Sequence, residues 1–237
     1  MRDQMPGEVY DDISTFLRHR GRQAEEGWDS ANEDEDTLTG DFGSMLRRRW
    51  TKPKTIEGSR WKWRVTYKKL RGRGRDAIEK PSGADGIFRV EVEDVGSGEI
   101  QQKCLLFQAK KNGLTHDLID QTTKMCHIAP GGAAVFQYTD DGYWGYNADL
   151  FANNSPNAWP NRVQRLGNFL GGEFLSCEVG LRDVYYDAQR KILQCIDRNG
   201  TVRPVRYDVS HRFSIDVAKE PTYRASVIME REPTKRI

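Results

Sequence analysis

Ala84-Asp85-Gly86-Ile87-Phe88-Arg89-Val90-Glu91-Val92-Glu93-Asp94-Val95 is followed by Gly96-Ser97-Gly98 and then by a second apolar run ending Leu105-Leu106-Phe107-Gln108-Ala109-Lys110. The two runs, 84–95 and 99–110, read as strands folded back on each other at the Gly-Ser-Gly turn. With Gly96-Ser97 as a two-residue loop, paired residue numbers sum to 193. Asp85 then falls opposite Gln108. Directly opposed residues share a face, with Cβ atoms about 5 Å apart. Lys110 lies two positions beyond Gln108 and points the same way. The hairpin therefore predicts a carboxylate, an amide and an ammonium together on one face. A slip of one residue in register would separate them.

Other elements extend outward from this hairpin. Residues 114–128 predict a helix with Leu114, Leu118, Ile119 and Met125 inward, and 133–138 a strand turning at Asp140-Asp141-Gly142 toward Tyr143-Trp144-Gly145-Tyr146. Upstream, 59–70 alternates with period two, placing Trp61, Trp63, Val65 and Tyr67 on one face, and 71–83 is a Gly/Arg-rich loop. Two helices precede it: 7–20, with Val9, Ile13, Phe16 and Leu17 on one stripe, and 32–49, with Leu38, Phe42, Met45 and Leu46. A polar linker, 21–30, joins them. Beyond a 152–161 loop, 162–170 reads as a helix and 173–179, 183–187, 191–196, 201–207 and 212–217 as short strands, with Asn199-Gly200 a hairpin turn. This gives an α/β fold in three stretches: an N-terminal helix and linker (1–30), a core (31–150) and a β-rich region packed on or completing it (151–237).

The 237 residues carry a net charge of +2, 37% hydrophobic residues and 30% charged ones, enough apolar material for a sizeable core. No apolar run approaches a membrane span, and residues 1–6 carry no secretory leader, so a cytoplasmic location without membrane contact is expected. The four cysteines lack metal-site spacing and read as reduced thiols. The small net charge hides a gradient. Residues 1–46 hold 12 acids against 4 Lys/Arg, whereas residues 47–80 hold 14 Lys/Arg against 3 acids. A basic block of that density attracts polyanions by releasing their counterions. Trp50, Trp61, Trp63 and Tyr67 lie within it, a mixture that suits nucleic acid and equally suits a strand packed on a core. Lys68, Lys69, Arg71, Arg73 and Arg75 are the cations there expected to hold a phosphate backbone.

A carboxylate, an amide oxygen and a lysine on one face suit phosphodiester hydrolysis. A hard divalent ion takes oxygen ligands: Asp85, the Gln108 side chain and the Ala109 carbonyl. Lys110 would hold the attacking water and offset phosphate charge. Gln in place of an acid removes one negative charge and weakens the expected metal affinity.

Asp85, 22 intervening residues and then Gln108-Ala109-Lys110 resembles the PD-(D/E)xK nuclease superfamily in its QxK form. Gly83-Ala84-Asp85-Gly86-Ile87-Phe88 followed by Phe107-Gln108-Ala109-Lys110-Lys111 is similar to Mrr-type restriction endonucleases. The likeness covers about residues 30–130. It implies a restriction-endonuclease-like α/β core with a mixed sheet, Mg²⁺-dependent (or Mn²⁺-dependent) cleavage of DNA, and a part in prokaryotic defence against foreign DNA. It also implies an acid on the preceding helix. On a helical wheel Glu35 shares the stripe of Leu38, Phe42 and Leu46, whereas Glu33 and Asp36 point away, so Glu35 is the candidate metal ligand. An acidic first turn also stabilises a helix without any metal. Pro81 stands four residues before Asp85 instead of adjacent to it, a departure from the motif. Gln121 falls where related nucleases carry a polar residue near the metal, and Lys124 on the same face is expected to reach phosphate. Lys111 is expected on the surface. Double-strand cleavage implies a homo-oligomer, and a regulatory partner is the other association considered. The alternative function is a nuclease-fold subunit that binds nucleic acid or a partner without cutting.

Overall fold

The protein is described by a computed structural model, which places residues 1–26, 33–70, 83–111, 116–149, 163–182, 184–187, 190, 192–196, 202–206 and 209–222. The hairpin has the predicted register: β3 (Gly86–Asp94) pairs antiparallel with β4 (Glu99–Lys111), from Gly86 opposite Phe107 to Asp94 opposite Glu99. The turn is longer than the two residues expected. It spans 95–98 because Asp94 Oδ1 accepts the N–H groups of Gly96 and Ser97, and Gly98 N–H returns to Asp94 O at 2.7 Å. An Asx-type cap closes the loop without altering the register.

Eleven strands and four helices are described. α1 (Gly7–Glu26) and α2 (Glu35–Met45) precede β1 (Lys54–Ile56) and β2 (Ser59–Lys69). α3 (His116–Ile128), β5 (Ala133–Thr139), β6 (Gly142–Asn147), β7 (Gln164–Arg165) and α4 (Leu166–Phe169) follow the hairpin. The chain ends its described course with β8 (Val184–Asp187), β9 (Ile192–Ile196), β10 (Val202–Arg206) and β11 (His211–Pro221). An eight-stranded mixed sheet runs in the order β1-β2-β11-β3-β4-β5-β6-β7, and β8–β10 form a separate antiparallel sheet. β11 lies between β2, to which it is antiparallel, and β3, to which it is parallel. The C-terminal region thus completes the core sheet at its centre.

The two faces of the large sheet bury different sets. Phe88, Phe107, Phe136 and Phe213 pack with α1, α2 and the α4 segment. Ile87, Leu106 and Val135 pack with Leu118 and Met125 of α3 and with Val184 and Leu193 of the small sheet. The alternation along β2 holds, with Trp61, Trp63, Val65 and Tyr67 all buried.

Several expected boundaries move. α1 continues through the proposed linker to Glu26, because Ala24 is buried and Glu25 pairs with Arg165 at 3.1 Å. α2 is shorter than 32–49: Asp34 caps it by accepting Thr37 N–H at 2.8 Å, and it stops at Met45. Gly43, which weakens the helix intrinsically, serves its packing, since a Cβ there would stand 2.4 Å from the Tyr67 ring. The expected strand at 173–179 is absent. Leu166, Phe169, Leu170 and Phe174 recur at helical spacing, so α4 runs on through a π-helical turn, Leu170–Phe174. The Asn199-Gly200 turn and the 152–161 loop lie outside the described residues. Among the described residues, no helix is long and apolar enough to cross a membrane.

Candidate active site

β4 outruns β3. The chain leaves the ladder at Asp85, whose N–H donates to Phe107 O at 2.8 Å, yet β4 continues to Lys111. Backbone groups of alternate residues face the same neighbour, so Ala109 and Lys111 turn N–H groups toward a strand that is no longer there. Side-chain carboxylates replace it. Ala109 N–H donates to Asp85 Oδ2 at 2.9 Å, and Lys111 N–H donates to Glu35 Oε1 at 3.1 Å. Two residues of strand span about 6.7 Å, so the edge of β4 spaces the two carboxylates like teeth on a rack.

Gln108 and Lys110 occupy the face shared with Leu106, toward α3. The Gln108 side chain is 3% exposed; its amide nitrogen donates to Asp85 Oδ2 and, at 3.2 Å, to Ala109 O. Lys110 Nζ stands 3.8 Å from Glu35 Oε2. The structure thus brings together Glu35, Asp85, Gln108, Ala109 and Lys110. Thr39 helps to seat Glu35: its hydroxyl donates to Glu35 O at 2.7 Å and meets the buried Tyr138 hydroxyl at 3.0 Å, tying the first turn of α2 to β5.

These donors fit a hard cation. They are two carboxylates, an amide and a peptide carbonyl, all oxygen-bearing and without sulfur or imidazole. As an acceptor, Asp85 draws the NH₂ edge of Gln108; a cation on that carboxylate would draw the oxygen edge, which a half-turn of the terminal torsion supplies. Among the described residues, no group of three or more His, Cys, Asp or Glu is placed to hold a metal. The amide and the carbonyl stand where further acids would be.

Gln121 lies close by. Gly83 has φ +70°, and a Cβ on it would come within 2.4 Å of Gln121 O, so α3 packs directly on the backbone entering Asp85. The Gln121 Oε1 atom is buried without a hydrogen-bond partner among the described residues. Lys124 pairs with Asp120, one turn earlier on α3, at 2.6 Å. Lys68 is exposed on the outer edge of β2, whereas Lys69 is held by Asp36 at 2.6 Å. Arg71, Arg73 and Arg75 lie outside the described residues.

Two expectations are overturned. Asp36 does not point away: Oδ1 meets His211 Nε2 at 2.8 Å and Oδ2 meets Lys69. The flank of α2 faces the start of β11, which brings a polar partner to a position a wheel assigns to solvent. Lys111 is not a free surface charge either, since Nζ donates to Glu33 O at 2.7 Å.

His211 was not singled out by any sequence pattern. It is 2% exposed, its Nδ1 meets Tyr67 OH at 2.9 Å, and its N–H joins that of Ser210 on Asp85 O at 3.1 and 2.8 Å. β11 thereby fixes the backbone of Asp85. Burial lowers the His211 pKa, against the opposing pull of Asp36. Burial raises Tyr67 to about 12. Burial also works against the Asp36 charge, but Lys69 and His211 outweigh it and hold the carboxyl below its usual range. Gln137 was missed as well. It sits beside Lys110 on the next strand, 1% exposed, and neither amide atom has a partner among the described residues. Its only sequence signal is a polar residue inside the apolar run 133–138.

No protein-family model, curated protein or solved structure matches this chain.

Proposed function

We propose that the chain is a Mg²⁺-dependent nuclease of the PD-(D/E)xK kind, in its QxK form, hydrolysing DNA phosphodiesters. Its core on this reading is the restriction-endonuclease-like run from α2 to β5. The observation that carries the reading is the pair of carboxylates clasped to alternate N–H groups of β4, with Gln108 and Lys110 projecting from the same strand.

The residues that would hold the ion are Asp85, Glu35, Gln108 through its amide oxygen, and the Ala109 carbonyl. A divalent ion there would polarise a phosphoryl oxygen and acidify a bound water. The chain's own groups do the rest. Lys110, fixed near Glu35, donates to the attacking water or to a non-bridging phosphate oxygen and offsets charge that builds on phosphorus. Water adds to phosphorus, one P–O ester bond breaks, and the departing oxygen takes a proton, leaving a phosphate monoester and an alcohol. Such a nuclease would suit defence against foreign DNA, and cutting both strands would call for two copies.

A second reading has one observation in its favour. The motif carries the neutral Gln108 in place of an acid, and its amide nitrogen donates to Asp85, as in a nuclease fold that binds without cutting. Plasmid nicking with Mg²⁺, Mn²⁺ or EDTA separates the two. The nuclease reading expects nicking that EDTA stops and that Lys110→Ala abolishes. Full activity in purified Lys110→Ala would refute it.

A further inference from the structure

The rim that carries Asp85 and Glu35 continues sideways. β2 ends, β11 and β3 begin, and β4 ends at the same border of the sheet. At the outer end of that border, beyond β2, lies a groove of about 780 Å³ lined by Arg47, Arg48, Arg49, Trp50, Arg64 and Lys68, with Tyr67 in its wall. None of its lining residues is acidic.

Its cations are not spent equally. Arg64 pairs with Asp216 at 2.8 Å and stacks on Trp50 at 4.6 Å. The Arg48 guanidinium lies over the Trp63 ring at 4.5 Å, and that of Arg47 over Tyr67 at 5.4 Å. Among the described residues, Arg47, Arg48, Arg49 and Lys68 have no carboxylate within ion-pair distance, although the chain carries 35 acids. Trp50 is 39% exposed, with Lys62 Nζ 5.1 Å and the Arg64 guanidinium 4.6 Å from the centre of its ring. A basic channel with an exposed ring is the arrangement that tracks a single-stranded backbone and stacks an unpaired base. In a duplex the bases already stack on one another and offer no face.

We infer that this groove binds single-stranded nucleic acid, Arg47, Arg48, Arg49 and Lys68 meeting phosphates and Trp50 stacking on a base. The assignment deepens the nuclease reading and rests on it for where the strand goes next. From Arg64 to Lys68 the strand β2 covers about 13 Å, the rise of roughly four stacked nucleotides. From β2 to β4 is three strand spacings, about 14 Å, or roughly four more. Tyr67 joins the two regions through His211 to the Asp85 backbone. A strand seated on Trp50 therefore reaches the carboxylates after about eight nucleotides in all.

The test is fluorescence anisotropy with labelled dT12, dT4 and a 12-base-pair duplex, in EDTA so that cleavage plays no part. Arg49→Gln/Lys68→Gln carries changes at two exposed side chains, and its melting temperature should match the parent's. Expected are dT12 binding tighter than dT4 or the duplex, a fall of about 1.4 in the salt slope for the double variant, and at least fivefold weaker binding for Trp50→Ala. Unchanged affinity and slope in the variants would overturn the groove. So would a parent that prefers the duplex, or one that binds phosphatidylserine vesicles and not dT12. Failure of Mg²⁺-dependent nicking alone would sink the nuclease reading and leave these affinities standing.

Discussion

Replacing Lys103 by methionine should stabilise this protein at neutral pH. Lys103 is fully buried on β4, its Nζ donating to Phe174 O and lying 4.7 Å from the centre of the Phe174 ring. Burial lowers its pKa from 10.5 to about 8. A shift of that size means the ammonium costs the folded state about 3 kcal/mol relative to the neutral amine. Methionine has similar length, removes that penalty, and leaves the Phe174 carbonyl and the Cys177 sulfur without their donor, a loss of about 1 kcal/mol. The net expected gain near pH 7 is about 2 kcal/mol, or about 4–8 °C in Tm for a chain of this size. The gain depends on pH with a definite sign. Between about 8 and 10.5 the unfolded chain binds the proton that the folded chain has released, so the parent gains stability as pH rises and the advantage of the variant shrinks. Urea unfolding of parent and variant at pH 7, 8, 9 and 10 measures this. Repeating it with Cys177→Ser removes the thiol that is electrostatically coupled to Lys103. A variant less stable than the parent at pH 7, or a difference that does not change with pH, would refute the reasoning.

Asp85→Asn keeps an acceptor for Ala109 N–H and should cost under about 1 kcal/mol of stability, whereas Asp85→Ala orphans that N–H and should cost about 1–3 kcal/mol. Both should lose nicking activity, and urea unfolding beside the nicking assay separates the structural role from the chemical one. Gln137→Met should stabilise by about 1–2 kcal/mol, since its buried amide has no partner among the described residues, and should lower nicking if the amide contacts water or substrate beside Lys110. Burial lowers the His211 pKa below that of the unfolded chain, so the unfolded chain binds more protons just below pH 6.5. Stability should therefore fall as pH drops through 6.5, and His211→Gln should show a shallower fall in thermal melts between pH 7 and 5.5.

What the sequence reveals here is local. Asp85 opposite Gln108 is legible because turn residues and a period of two fix the register between neighbours in the chain, and even the misjudged loop at 95–98 leaves it intact. Glu35 is legible because Leu38 and Phe42 of α2, with Leu46 at its C-cap, define a buried stripe. The remainder depends on pairings with no local signature. Nothing in residues 211–221 states that they lie between β2 and β3, so neither the fixing of Asp85 by Ser210 and His211 nor the capture of Asp36 is readable in advance. Gln137 is invisible for a different reason. One polar residue in a short apolar strand is unremarkable until its neighbours among the described residues prove to offer it no partner. The basic block at 47–80 is conspicuous, but its division into cations held by a carboxylate, such as Lys69, and cations that meet none among the described residues, such as Arg49, is a property of packing.

The position of β11 also bears on when the candidate site is assembled. Its partners in β2 and β3 lie more than 120 residues earlier, so the wall between them is missing until residues 211–221 have been made. Until residue 211 has cleared the exit tunnel, Asp85 lacks the peptide groups that aim it. A chain that stops short of residue 210 would therefore carry Asp85 without the two backbone donors that fix its carbonyl.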